Sequence, residues 1–130
     1  MNTALQESLR QGIEEFNSER FFEAHEAWEH VWLASAGAEK RHLQGIIQIA
    51  AAFHHYQRDN WKGTCSLLKA GLERLGDAPV SHGGIPLEPL CRAAREWVQA
   101  LQQGRDPGKG RLPKIGSAAK SDNDVRLGEG

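Results

Sequence analysis

The sequence lacks the signatures of several common protein classes. Its two cysteines, Cys65 and Cys91, form no CxxC pair, which disfavours both a disulfide-stapled secreted fold and a cysteine-based zinc finger. The N-terminus has no basic and apolar leader, and no apolar run approaches the ~20 residues of a membrane-spanning helix. No glycine-rich phosphate loop or nucleophile elbow is present. We therefore expect a cytoplasmic protein with reduced thiols and no membrane partner.

The sequence also lacks an excess of charge of one sign. Its 16 basic and 17 acidic residues leave a formal net charge of -1, so no overall basic field attracts nucleic acid. Basic residues near the C-terminus fit a solvated tail better than a nucleic-acid contact; they are Lys109, Arg111, Lys114 and Lys120. The length and the apolar fraction of 39% suit one globular domain with its own core.

Strand-like alternation is nearly absent, whereas helical periodicity extends to Gly104. The apolar spacing predicts five helices, over about 3–17, 20–34, 39–58, 61–75 and from Pro86 or Pro89 to Gly104. The third helix is apolar around most of its circumference, as is typical of the centre of a bundle. The predicted fold is all-α, a compact bundle of about five helices over residues 1–104. Residues 105–130, rich in Gly, Lys, Ser and Asp, are predicted to form a disordered or loosely attached tail.

The second predicted helix mixes ionisable and aromatic residues instead of separating them. Its segment 21–32 contains three carboxylates and two imidazoles among bulky aromatic side chains. His25 and Glu29 are four residues apart on one helix face, close to the apolar line that includes Trp28 and Trp32. Because an ionisable group is costly to bury unless it is paired or binds a metal, this pattern suggests a site.

The third predicted helix has a polar stripe of its own. Gln44, Gln48 and His55 follow one line along an otherwise apolar helix. The short connection 35–38 favours antiparallel packing of the second and third helices, so that their polar stripes can face each other. We expect His25, Glu29, Gln44, Gln48 and His55 to converge.

Two imidazoles and a carboxylate match the ligands of a zinc, manganese or iron site with open positions. His25, His55 and Glu29 are the candidate metal ligands, and Glu29 could instead act as a general base. Gln44 and Gln48 would orient a substrate or water. A metal-free hydrogen-bond network would satisfy the same groups, so a purely structural cluster remains the alternative. The zincin motif is excluded, because Glu29 stands where that motif needs its second histidine.

Neighbouring polar residues fit ordinary roles. Glu26 and His30 are spaced as a solvated ion pair on a helix surface, an interpretation we favour over a second half of the site. His54 projects about 100° from His55, so we expect only one of them to reach the cluster.

Two segments together resemble a known family. Phe22-Glu23-Ala24-His25-Glu26-Ala27-Trp28-Glu29 and Leu43-Gln44-Gly45-Ile46-Ile47-Gln48-Ile49-Ala50-Ala51-Ala52-Phe53-His54-His55 are similar to the motifs of the domain-of-unknown-function family numbered 309. The resemblance covers about residues 8–76 and implies a small helical bundle without an established activity. The matching polar positions and glycine are Glu23, His25, Glu26, Glu29, Gln44, Gly45, Gln48 and His55. Glu23 thereby joins the ligand-binding candidates, and Glu26 joins Glu29 as a catalytic candidate.

The resulting hypothesis is a metal- or small-molecule-binding cluster between the second and third helices, with hydrolysis as one reaction open to it. The competing hypothesis is a non-enzymatic assembly module. In that case Trp32, Trp61 or Trp97 would form an exposed apolar patch for self-association, and the polar cluster would only fix the packing of the helices.

Overall fold

The computed structural model describes residues 2–116, which fold into a bundle of five α-helices. The helices, the two short strands and one 3₁₀ turn are α1 (Thr3–Asn17), α2 (Phe21–Leu33), α3 (Gly37–Gln57), α4 (Trp61–Arg74), β1 (Ser81–His82), β2 (Ile85–Pro86), α5 (Leu87–Gln102) and the 3₁₀ turn Lys109–Arg111. The predicted fold class is confirmed, and the predicted helix bounds lie within about two residues of those observed. No helix in the described range is long and apolar enough to cross a membrane.

Local sequence signals account for several helix ends. The Asn2 side chain accepts a hydrogen bond of 2.8 Å from the Leu5 backbone N–H at the start of α1, and Asn60 caps α4 in the same way. Glu19 and Asp59 adopt left-handed backbone conformations, with φ of 62° and 61°, just after α1 and α3 end. Aspartate is one of the residues enriched in this conformation, whereas glutamate is not.

Helix α3 lies at the centre of the bundle and packs against both α2 and α4. It crosses α4 closely at Gly45 and Gly71, since a Cβ atom on Gly71 would lie 2.7 Å from the Gly45 carbonyl oxygen. Glycine at both positions permits this approach. The predicted central position of the third helix is therefore confirmed by its packing.

The core is centred on interlocking aromatic rings. Phe16 packs edge-on against Phe21 at 5.0 Å between ring centroids, and Phe53 packs edge-on against Trp97 at 5.1 Å. Such edge-to-face pairs add about 0.5–1.5 kcal/mol beyond the area they bury. Helices α1, α2, α3 and α5 all contribute to this cluster, so it joins four of the five helices.

The predicted boundary placed the end of the bundle at residue 104, but packed residues continue beyond it. Leu112 and Ile115 are buried in the core, and the Trp97 indole N–H donates a 3.0 Å hydrogen bond to the Arg111 carbonyl. Asn17 and Ile115 exchange two further hydrogen bonds. Two apolar side chains among glycines and lysines carry no helical period, so periodicity could not identify this packed segment. The remainder of the predicted tail, residues 117–130, lies outside the described residues.

Candidate functional site

A cavity of about 260 Å³ lies between α2 and α3, with one wall from α4. Helix α2 contributes His25, Glu29 and Trp32, which follow one face at intervals of four and three residues. Helix α3 contributes polar residues one turn apart, with apolar residues between and beyond them. The lining residues from α3 and α4 are Gln44, Ile47, Gln48, Ala51 and Leu67. The structure thus brings four of the five residues expected to converge around one space.

Three buried polar atoms at this cavity have no hydrogen-bond partner: His25 Nδ1, Trp32 Nε1 and Gln48 Oε1. They are the only such side-chain atoms in the described range 2–116, and all three residues line the cavity. Leaving a buried donor or acceptor unpaired costs about 1–3 kcal/mol. Their concentration at one cavity marks it as unusual within an otherwise satisfied bundle.

Aromatic and cationic groups flank the cavity. The Phe22 ring stacks on the His25 imidazole, with 5.9 Å between centroids and 22° between planes. At the other end, the Lys40 ammonium lies 4.2 Å from the centroid of the Trp32 ring. This is close enough for a cation–π contact. Both contacts restrict the orientation of the side chains that line the cavity.

The predicted ligand His55 does not line this cavity. Its Nδ1 atom lies 3.0 Å from Nδ2 of Asn60, beyond the end of α3. His55 follows Gln44 by eleven residues, so it shares the polar stripe but lies roughly 16 Å further along the helix axis. Periodicity places His55 on the same helix face as Gln44 and Gln48. His55 lies too far along the axis of α3 to join them at the cavity.

The predicted metal triad of His25, Glu29 and His55 is therefore not brought together. Across residues 2–116, no group of three or more His, Cys, Asp or Glu side chains is arranged to hold a metal ion. His25 and Glu29 remain at the cavity as a potential acid–base pair. His25 is half-buried and Glu29 is exposed at the rim.

The two candidates that came from the family motif lie elsewhere. Glu26 is exposed and is not among the residues that line this cavity. Glu23 lines a second cavity of about 400 Å³ at the N-terminal end of α2, together with Phe22 and His54. His54, one residue before the predicted ligand, has its ring centroid 5.4 Å from that of Phe22.

The structure adds four residues to the site that the sequence argument had not assigned to it: Trp32, Ile47, Ala51 and Leu67. Trp32 lies seven residues after His25, and this spacing could have placed it on the same face. Leu67 belongs to α4, and nothing in its local sequence distinguishes it from the other leucines of that helix. Only the packing of α4 against α3 brings Leu67 to the cavity.

The geometry can be compared with known proteins. Residues 9–67 match the family model described as "Domain of unknown function (DUF309)". This range contains the whole α2–α3 cavity and confirms the predicted family resemblance, although the match ends before residue 76. An uncharacterised protein of Aquifex aeolicus (strain VF5) is 26% identical over 102 residues, which are 78% of this chain and 31% of that protein. The chain thus spans about a third of that relative's length.

Proposed function

We propose that this DUF309 domain binds a small nitrogen-containing molecule in the cavity between α2 and α3. The observation that carries the proposal is the group of unpartnered buried atoms on His25, Trp32 and Gln48 around one cavity. A structural polar network would pair such atoms with one another. Here a bound molecule would supply the missing partners.

The chemistry of the cavity indicates what kind of molecule fits. The Trp32 indole can only donate a hydrogen bond, whereas the unpartnered Gln48 atom can only accept one. A molecule that pairs with Gln48 needs an N–H or O–H donor, and one that also pairs with Trp32 needs an acceptor besides. The Glu29 carboxylate at the rim favours a cationic donor such as an amidine or amine.

The size and the apolar part of the cavity restrict the molecule further. A volume of about 260 Å³ lies below the range of roughly 300–1,000 Å³ typical of sites for drug-sized ligands. Ile47, Ala51 and Leu67 provide an apolar surface against which a flat or aliphatic body can pack. A compact molecule with one polar edge fits this description.

Hydrolysis at this cavity would require His25 or Glu29 to accept a proton from water, since these are the titratable residues that line it. Binding comes first in such a scheme. A binding measurement therefore tests the proposal without depending on turnover.

The proposal can be tested with benzamidine, its neutral analogue benzamide and the anion benzoate. We expect benzamidine and benzamide to shift the NMR signals of the His25 ring, and benzoate to leave them unchanged because Glu29 repels it. Gln48→Met should weaken benzamidine binding at least tenfold. It should also raise the free energy of unfolding by about 1 kcal/mol, because it removes an unpaired buried acceptor.

The matched control is Gln6→Met, the same chemical change at an exposed position on α1. It should leave benzamidine affinity unchanged and alter stability by less than about 0.5 kcal/mol. If Gln48→Met destabilises the protein and benzamidine leaves the His25 signals unmoved, the cluster is structural and the proposal is wrong.

An assembly role is the second candidate, supported by apolar side chains at the surface. Leu33 is 70% exposed and Trp61 is 37% exposed, whereas Trp97 is buried and drops out of the expected patch. Sedimentation of the wild type and of Trp61→Ser tests this role. Self-association that the substitution abolishes supports it, and a wild-type monomer at high concentration contradicts it.

A further inference from the structure

Phe22 is a half-exposed aromatic side chain between two imidazoles. Its ring is 46% exposed and contacts His25 on one side and His54 on the other, with centroid distances of 5.9 Å and 5.4 Å. His25 lines the α2–α3 cavity, and His54 lines the second cavity with Phe22 itself. A single side chain therefore stands between the two cavities.

The second cavity, of about 400 Å³, is also polar. Its lining residues are Glu19, Arg20, Phe21, Phe22, Glu23, His54 and Gln57. Two of its charges already have partners, because Arg20 pairs with Glu15 and Glu19 lies 3.4 Å from Lys114. The side chains of Glu23 and His54 make no ion pair or hydrogen bond within residues 2–116. After the larger effect of Glu15, Glu23 is near enough to Arg20 for its charge to raise the pKa of that guanidinium.

The free groups of the second cavity favour a hydrogen-bond donor. Glu23 lies in the first turn of α2, where its negative charge already complements the helix dipole. Burial lowers the pKa of His54, and the positive charge of Arg58 lowers it further. His54 is therefore a neutral imidazole near neutral pH and can accept a hydrogen bond, as the Glu23 carboxylate can.

We propose that the two cavities form one elongated binding groove divided by Phe22, and that the molecule bound there carries an amine or amidine at each end. Glu29 recognises one end and Glu23 the other, while the aliphatic or flat middle packs against the Phe22 ring. Six residues separate the two glutamates along α2, which corresponds to a rise of roughly 9 Å and an angle of about 120° around the helix axis, so their carboxylates lie further apart than the rise alone. This inference rests on the proposed function, because it extends the same cavity.

Unbranched diaminoalkanes, from diaminobutane to diaminodecane, provide a probe series of graded length. Each diamine is compared with the monoamine of the same chain length by calorimetry and by the NMR signals of His25 and His54. We expect diaminodecane, the longest of the series, to bind at least tenfold more tightly than its monoamine and to shift both histidine signals. The monoamine should shift the His25 signals alone.

Three variants test whether Glu23 recognises the second amine of the diamine. Glu23→Gln should reduce the diamine to the affinity of the monoamine, and Phe22→Ala should weaken the preference for long diamines over short ones. Glu73→Gln removes the same charge at an exposed position on α4 outside both cavities, and it should change neither affinity. Neither Phe22 nor Glu23 belongs to the buried core, so both variants should fold.

The outcomes separate this inference from the proposed function. If monoamines shift the His25 signals but diamines gain no affinity over them, the elongated groove is wrong and the α2–α3 cavity still binds. If diamines bind more tightly than monoamines by the same factor in Glu23→Gln as in the wild type, Glu23 does not recognise the second end and the inference is overturned. If neither series shifts either histidine, both proposals fail.

Discussion

Two tryptophans one turn apart on α2 occupy opposite kinds of environment. Trp28 is fully buried, and its indole N–H donates a 3.2 Å hydrogen bond to the Leu9 carbonyl of α1. The indole N–H of Trp32 is also buried but has no partner, and the Trp32 side chain lines the cavity next to α3. The same helix thus has one side complete in packing and hydrogen bonding and another side that leaves polar atoms available. Complete packing is expected of a structural interface, and unpaired atoms are expected where something else binds.

The largest expected effect is at Trp28. Trp28→Ala should lower the free energy of unfolding by about 3–5 kcal/mol, because it leaves a large cavity in the core and removes the hydrogen bond from Trp28 to the Leu9 carbonyl. Trp32→Ala should cost less than half of that, since Trp32 is only partly buried. Urea denaturation of both variants measures the difference. Equal losses would contradict the distinction between the two sides of α2.

The next effect concerns how closely α1 approaches Trp28. A Cβ atom on Gly12 would lie 2.1 Å from Trp28 Nε1, too close for either group to stay in place. Gly12→Ala should therefore destabilise the protein by about 1–3 kcal/mol through overpacking. Gly110→Ala is the control, because a Cβ atom there would meet nothing within 4 Å. A thermal melt in which Gly12→Ala equals the wild type would show that the α1–α2 contact is looser than described.

A smaller effect separates the two indole N–H groups directly. Trp28→Phe should cost about 1–3 kcal/mol, since it removes the hydrogen bond to the Leu9 carbonyl and leaves a small cavity in the core. Trp32→Phe removes an unpartnered donor, but it also weakens the contact with Lys40. Its stability should stay within about 1 kcal/mol of the wild type. A loss at Trp32 as large as that at Trp28 would mean that the Trp32 N–H is satisfied in solution.

The smallest expected effect is a dependence of folding stability on pH through His54, which lines the second cavity. Burial lowers the pKa of His54 below its ordinary value of 6.5, so the unfolded chain binds a proton there at a higher pH than the folded protein does. The folded state should therefore lose stability as the pH falls through 6.5 towards the lowered pKa. His82, whose pKa is lowered mainly by burial, acts in the same direction.

Chemical denaturation at about pH 7.5 and about pH 5.5 measures this slope. His54→Asn should flatten it, whereas Trp28→Phe should keep the wild-type slope because it changes no titratable group. A slope that is unchanged in His54→Asn would show that the His54 ring is fully solvated.

Much of the fold could be predicted from the sequence. Apolar periodicity located all five helices, because each must bury one face against its neighbours. The site was predicted in part: His25, Glu29, Gln44 and Gln48 line one cavity, while their function stays a prediction. Glu26, which came from the family motif, is exposed outside it.

Other features depended on contacts between distant segments. The 105–116 segment packs through Leu112 and Ile115, which local composition did not distinguish from a solvated tail. The region between the fourth and fifth predicted helices contains the short β1–β2 pairing of Ser81 with Pro86 and His82 with Ile85. Pairs this short leave no alternating pattern in the sequence.

The sequence by itself determined the helices, their apolar faces and the polar stripes on α2 and α3, because these follow from the fixed period of the α-helix. Only the tertiary structure decided which members of a stripe meet. His54 contacts Phe22 and His55 turns to Asn60, although the two are adjacent in sequence. Their positions depend on how far α3 slides and turns against α2, and that is set by packing across the whole bundle.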